Sequence, residues 1–446
     1  MVNWAVLAIV ALSVATLIFM VLRLKLQAFV ALLVVALGTG LTLGGRPADV
    51  IDAVIAGTGS ALGFVALVIG LGAMLGGLLE ASGGVEALAQ RLLRITGERR
   101  APWALAIIGI VVGIPLFFDV GFIILAPIII GLAVKARRRA VYYALPVLAG
   151  LMSMHALLPP HPGPVAVAGL LDTDFGLLAL YGLACGIPAA ILAGPVFARR
   201  FATILPEGEE IAAPTFDGGA APIARIAFGP ALAAMLIPLG LIVGAAIGNY
   251  TMAEGPLKSI IGFIGHPLVA LIFACLFAAT WLALKERVAL PEIGDVMTRA
   301  LAPAGLMVLV VGAGAAYKQV LVDSGAGDEI TALVAAANVS VLVFAFVLAA
   351  FIRVAQGSAT VAMVTAGGLA APLVISAGLS ADRIALVTVA IGAGASIASH
   401  VNDTGFWLVK QYLGLTEAET FRSWTVSATI AGVTMFAVAA AIWPFV

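Results

Sequence analysis

Charged side chains are scarce in this chain: Asp, Glu, Lys and Arg make up 10% of the 446 residues, and the formal charges cancel. A chain without a basic surface is excluded as a nucleic-acid binder, because neutralising phosphates needs clustered Lys and Arg. Long polar stretches are also lacking, whereas hydrophobic residues reach 63%, so water cannot be the main solvent. The composition is that of a protein whose partner is the lipid bilayer. Only Cys185 and Cys275 carry thiols, each alone in an apolar run, which supports neither a disulfide framework nor a thiolate metal site. The four histidines, His155, His161, His266 and His400, have no cysteine or acidic partner at zinc-ligand spacing. Gly57-Thr58-Gly59-Ser60 and Gly70-Leu71-Gly72-Ala73 lack the strand and glycine spacing of a dinucleotide fingerprint; they read as close helix packing through small residues. No metal or organic cofactor is expected, only a coupling ion.

The apolar residues fall into runs. At about 1.5 Å rise per residue, a ~30 Å hydrocarbon core asks for roughly 20 of them. Spans are expected near 3–22, 27–43, 53–80, 140–171, 176–198, 226–248, 262–284, 300–322, 383–412 and 424–445. The first has no basic residue before it and Arg23 and Lys25 after it, the pattern of a retained helix. Two regions fall short. The run from about 103 to 134 is broken at Phe117-Phe118-Asp119, and that from about 339 to 375 at Arg353-Val354-Ala355-Gln356-Gly357. Arms of about fifteen residues reach only roughly 22 Å, so each pair reads as a re-entrant helical hairpin.

Lys and Arg are retained on the cytoplasmic side. With the N-terminus outside, all but five of the 23 basic residues fall inside, among them Arg91, Arg94, Arg99, Arg137, Arg138, Arg139, Lys285 and Arg287. The first hairpin then opens from the cytoplasm and the second from outside. An internal repeat at an offset of about 242 residues gives the same plan: Gly70-Leu71-Gly72-Ala73 maps onto Gly312-Ala313-Gly314-Ala315, Ser82-Gly83 onto Ser324-Gly325, and Gly163 onto Gly405. Five spans per half is an odd number, so the second copy must insert upside down. The expected architecture is an all-α polytopic membrane protein of two inverted-topology repeats, 1–200 and 225–446, each with a re-entrant hairpin and a broken helix. A Pro-, Gly- and acid-rich cytoplasmic linker, 201–224, joins them.

Polar residues mark the four interruptions: Phe118-Asp119-Val120-Gly121, Arg353 to Thr360, Pro159-Pro160-His161-Pro162-Gly163-Pro164, and Ser399-His400-Val401-Asn402-Asp403-Thr404-Gly405. Prolines remove amide donors, and unwound backbone at membrane depth is tolerated only beside protein or water. Half-helix N-termini favour anions, and C-termini favour cations. Arg353 is the clearest ligand for a substrate carboxylate, by two parallel hydrogen bonds, with snorkelling to the outer interface as its alternative. Gln356, Ser358, Thr360, Asn402 and Thr404 offer donors and acceptors for hydroxyl groups, or cap the half-helices. Asp119, His161 and Asp403 are the titratable groups at the breaks and the candidates for a coupled proton; a carboxylate neutralised by Arg353 or capping a half-helix is the other reading. An enzyme would need a nucleophile with an oriented base, and the polar groups are instead spread over two repeats. A carrier of small organic anions is expected, with a passive anion channel as the alternative.

The chain resembles the gluconate permeases, also called gluconate:proton symporters, of the ion transporter superfamily. The likeness runs nearly end to end and is carried by Gly76-Gly77-Leu78-Leu79-Glu80-Ala81-Ser82-Gly83-Gly84, Phe117-Phe118-Asp119-Val120-Gly121-Phe122, Pro160-His161-Pro162-Gly163-Pro164, Gln356-Gly357-Ser358-Ala359-Thr360-Val361-Ala362 and the stretch from Ser399 to Trp407. The resemblance implies uptake of gluconate or a related sugar acid by proton symport across a bacterial inner membrane. It also implies an elevator motion of a hairpin-bearing transport domain against a dimerised scaffold, hence a homodimer. Members similar to this chain take D-serine or idonate, so a D-serine-type amino acid or a sodium-coupled carboxylate stays open as the alternative. With the family pattern in view, the expected substrate-binding set is Phe118, Asp119, Gly121, His161, Gly163, Arg353, Gln356, Gly357, Ser358, Thr360, Asn402 and Thr404.

Overall fold

A computed structural model describes residues 3–97, 100–202, 222–337 and 339–446 and contains no β-strand among them. Most of the expected linker 201–224, and Arg99, lie outside the described residues. The first half comprises α1 (Trp4–Leu22), α2 (Ala28–Thr42), α3 (Pro47–Ala81), α4 (Gly84–Thr96), α5 (Ala101–Val112), α6 (Phe118–Ala136), α7 (Ala140–Leu157), α8 (Pro162–Leu171) and α9 (Phe175–Ile191). The second comprises α10 (Phe228–Thr251), α11 (Pro256–Ile264), α12 (Pro267–Leu284), α13 (Leu290–Asp323), α14 (Ala326–Ala336), α15 (Val341–Gln356), α16 (Ala359–Ser376), α17 (Ala381–Gly394), α18 (Thr404–Tyr412), α19 (Glu417–Thr420) and α20 (Val426–Ile442).

The same order of long helix, short helix, hairpin pair and broken pair recurs in both halves, and local chemistry sets its boundaries. The long helices α3 and α13, of 35 and 34 residues, end alike. Ser82 and Ser324 cap them, their hydroxyls donating to Leu79 O at 3.1 Å and Leu321 O at 3.2 Å. Gly83 and Gly325 then take φ of +67° and +70°, the left-handed turn that a side chain would strain. At 35 residues α3 is about 52 Å long, more than a bilayer's depth, so it must tilt or project. It packs along α13, where Gly312 admits Thr58 and Leu62, whose nearest carbons would lie 3.1 and 3.2 Å from an added Cβ. Gly72 likewise lets Pro160 approach, 2.5 Å from where a Cβ would stand.

Among the described residues ten helical segments are long and apolar enough to cross a membrane, but they are not the ten read from the sequence. Eight coincide. The expected span 27–43 is only the 15-residue α2, and 383–412 is broken into the 14-residue α17 and the 9-residue α18. In their place stand α6 and α16, the second arms of the two hairpins, with 19 and 18 residues rather than about fifteen. The reason lies in where the chain turns. The first hairpin reverses at Gly113 to Phe117, so Phe118 and Asp119 already belong to the first turn of α6, leaving α5 with 12 residues. Length and apolarity alone do not make α16 a lipid-facing helix. It is buried nearly all round, against α8, α13, α14 and α15, as expected of a helix apolar on every face.

A buried centre of α7, α8, α16 and α17 thus holds both broken helices. Side chains exposed on the outer helices are large and apolar, for example Leu12 at 66%, Phe263 at 67% and Leu276 at 58%, a surface suited to lipid. The first hairpin is held by backbone contact at a crossing of α5 and α7, where a Cβ on Gly150 would stand 2.6 Å from Ile110 N and 2.7 Å from Gly109 C. Gly63 on α3 has nothing within 4 Å of such a Cβ. Gly150→Ala is therefore expected to destabilise by about 1–3 kcal/mol through overpacking. Gly63→Ala should be neutral or stabilising by up to about 1 kcal/mol. Thermal unfolding of detergent-solubilised protein measures both, and equal midpoints would refute the crossing as a constraint.

Candidate functional site

The four interruptions meet. Around one cavity of about 490 Å³ stand Phe117 to Val120 of the first hairpin, Met152, His155, Ala156 and Pro162 of the first broken helix, Arg353 and Gln356 to Thr360 of the second hairpin, and Ala395, Ser396 and Asn402 to Gly405 of the second broken helix. Pro303, Met307, Met363 and Trp424 complete the wall. Each interruption ends in a new helix, and the first residues of α6, α8, α16 and α18, namely Phe118, Pro162, Ala359 and Thr404, all line it. The starts of four helices, with their positive dipole ends, therefore border one volume, although Pro162 and Pro164 bring no amide hydrogen to α8.

The second hairpin makes this convergence possible through one glycine. Gly357 has φ of +89°, and a Cβ there would run into the backbone of Asn402, whose carbonyl carbon would lie 2.6 Å away. Asn402 Nδ2 in turn donates to Val354 O at 3.0 Å, capping the C-terminal end of α15, and Ser358 caps α16 by accepting from Val361 N at 3.4 Å. These two polar side chains thus have backbone partners, as helix caps do.

Arg353 sits in the last turn of α15 and is 4% exposed, so it does not snorkel to the interface. Its Nη2 pairs with Asp403 Oδ2, which also accepts from the Ser399 hydroxyl. Ser399 Oγ is held by Trp424 Nε1 at 2.7 Å, and Asp403 Oδ1 caps α18 by accepting from Gly405 N at 3.2 Å. Asp403 is thus both neutralised by Arg353 and used as a cap. Arg353 Nε and Nη1, and both polar atoms of the Gln356 amide, are buried without a hydrogen-bond partner. A buried guanidinium with two idle nitrogens is costly unless a further acceptor comes to it. Phe118 closes one side by stacking on Trp424, with ring centroids 5.2 Å apart.

Of the residues read from the sequence, Phe118, Asp119, Arg353, Gln356, Gly357, Ser358, Thr360, Asn402, Asp403 and Thr404 are brought to the cavity wall, and Gly121, His161 and Gly163 are not. Gly121 and Gly163 are packing positions: an added Cβ would stand 2.8 Å from Leu151 Cδ2 and 2.5 Å from Met363 Sδ, respectively. His161 is 1% exposed and lies behind the wall, its Nε2 2.6 Å from Gly113 O. Sequence reading missed His155, Met152, Ser396, Met363, Pro303, Met307 and Trp424 on the wall. His155 had a signal, as a polar residue one helical turn before the break at Pro159, and so did Ser396, three residues before the break at Ser399; the others had none.

A family model for the GntP family permease matches residues 5–446. The chain belongs to the GntP permease family. It is 40% identical over 432 residues to the high-affinity gluconate transporter of Escherichia coli K12, covering 96% of this chain and 97% of that protein. It is 37% identical to the gluconate permease of Bacillus subtilis over 436 residues, with 96% and 97% covered, and 36% identical to the Gnt-II system L-idonate transporter of Escherichia coli K12 over 435 residues, with 95% and 96% covered. The crystal structure of the Alcanivorax borkumensis YdaH transporter, described as having an unusual topology, superposes with a TM-score of 0.67 at 16% identity, covering 94% of this chain and 98% of that one, and shares its fold. The permease is a multi-pass inner membrane protein.

In the permease, removing one partner of the Arg353–Asp403 pair leaves a buried charge uncompensated, which costs about 3–5 kcal/mol. Arg353→Met alone should lower the unfolding midpoint of purified protein, and Arg353→Met with Asp403→Asn should recover most of the loss. Equal midpoints for the single and double variants would show that the pair carries no such energy.

Proposed function

We propose that this permease imports gluconate or a related small sugar acid by proton symport. The observation that carries the reading is the pair of idle guanidinium nitrogens of Arg353 beside the idle Gln356 amide, at a cavity where four helices begin. Each idle nitrogen can donate a charge-assisted hydrogen bond to a carboxylate oxygen, and the Gln356 amide both donates to and accepts from a hydroxyl. The gluconate and idonate transporters named among the relatives support the substrate class.

Charge supports the coupling. With the histidine neutral, the lining groups Asp119, Asp403 and Arg353 sum to a formal charge of −1, which an arriving carboxylate would make −2. Each isolated charge at membrane depth costs roughly 2.5 kcal/mol or more, so taking up a proton together with the anion reduces the load that crosses. Asp403 is committed to Arg353 and to capping, whereas Asp119 opens onto the cavity, so Asp119 is the proton carrier in this reading. The two halves then act as inverted repeats of a homodimer, with α3 and α13 as the fixed frame and the hairpins and broken helices as the moving part of an elevator.

Uptake of labelled gluconate into right-side-out vesicles should follow an imposed pH gradient, and uptake that responds only to sodium would sink proton coupling. Arg353→Gln, with membrane insertion unchanged, should lose about 10- to 100-fold in affinity, given about 1.5–3 kcal/mol for a charge-assisted hydrogen bond. Asp119→Asn should abolish accumulation driven by the pH gradient while preserving counterflow exchange of internal for external gluconate.

A further inference from the structure

The His155–His161 pair has a defined hydrogen-bond polarity. His161 Nε2 lies 2.6 Å from the carbonyl oxygen of Gly113, which can only accept, so Nε2 carries the hydrogen. His161 is 1% exposed and has no carboxylate contact among the described residues, so burial favours its neutral form and its Nδ1 is a bare lone pair. That Nδ1 lies 3.2 Å from Nδ1 of His155. Two bare nitrogens at that distance repel, so His155 Nδ1 carries the hydrogen and donates it. His155 Nε2 is then left as an acceptor on a ring that lines the cavity. Phe117 walls both rings, its centroid 6.2 and 6.1 Å from those of His155 and His161.

The acceptor has a use in a cavity whose other idle groups favour an anion. A carboxylate has no hydrogen to offer it, and a hydroxyl does. We infer that His155 accepts a hydrogen bond from a substrate hydroxyl, with His161 as the positioning residue that fixes its tautomer, and that this pair separates polyhydroxy acids from plain carboxylates. The inference rests on reading the cavity as a sugar-acid site. A plain carboxylate of the same length would leave the Nε2 lone pair buried and unpaired, the kind of mismatch by which a site built for a hydroxyl rejects its deoxy analogue.

Competition binding of gluconate and hexanoate to the purified full chain tests it. Wild-type protein should prefer gluconate. His155→Asn places an amide nitrogen where Nδ1 was, keeping the donor to His161, but has nothing at the Nε2 position. The preference should fall by about 10- to 100-fold through weaker gluconate binding, with hexanoate binding unchanged. His161→Gln keeps a donor for Gly113 but frees the His155 tautomer, and the preference should fall by a smaller factor. An unchanged preference in His155→Asn overturns the inference and leaves the sugar-acid reading standing. A parallel loss for both acids also overturns it, by marking His155 as packing only. Wild-type protein that binds hexanoate as well as gluconate overturns the sugar-acid reading, and the inference falls with it.

Discussion

The cost of unpaired backbone in hydrocarbon governs this molecule. A helix that stops inside a bilayer exposes amides or carbonyls that lipid cannot satisfy, and this chain stops helices at four places within its apolar mass. Polar side chains cap helix ends at two of the interruptions: Asn402 reaches across to the end of α15, while Asp403 and Ser358 cap the starts of their own helices, α18 and α16. The interruptions leave one cavity bordered by the starts of four helices.

Close backbone contact at the tip depends on the absence of a side chain at Gly357, and the crossing behind the first hairpin depends on the same absence at Gly109 and Gly150. Against that close-packed frame, the polar atoms left without partners stand out. Arg353 is held on one side by Asp403 and is free on the other, so its position is set by the protein while its binding capacity is kept. Asp403 itself is oriented through Ser399 and Trp424, a chain that ties the ion pair to the turn just before α20. Pre-orientation of this kind lowers the ordering cost for any acceptor that takes up the remaining donors.

Much of this was legible in the residue pattern, for physical reasons. Apolar run length reports on helices in lipid, and eight of the ten spans were read correctly. Pro159 and Pro160 announce a break because they lack amide hydrogens, and the repeated Ser-Gly pair announces a helix end because glycine alone takes that turn without strain. The two runs that differ do so because apolar run length does not show where the chain turns: 383–412 is interrupted after α17, and the first hairpin reverses before Phe118, which gives α6 its 19 residues.

The sequence by itself determined that the chain lives in a membrane, that its two halves carry the same order of elements, and that its polar residues gather at four interruptions, because composition and periodicity are properties of the chain alone. Only the tertiary structure decided which of those residues share a surface. Gly121, His161 and Gly163 belong to the right segments but lie off the cavity wall, and His155 lies on it, since which face of a helix meets the cavity depends on how that helix is rotated against its neighbours. The choice between a snorkelling and a paired Arg353 was also tertiary, because its partner Asp403 comes from another helix, fifty residues away along the chain.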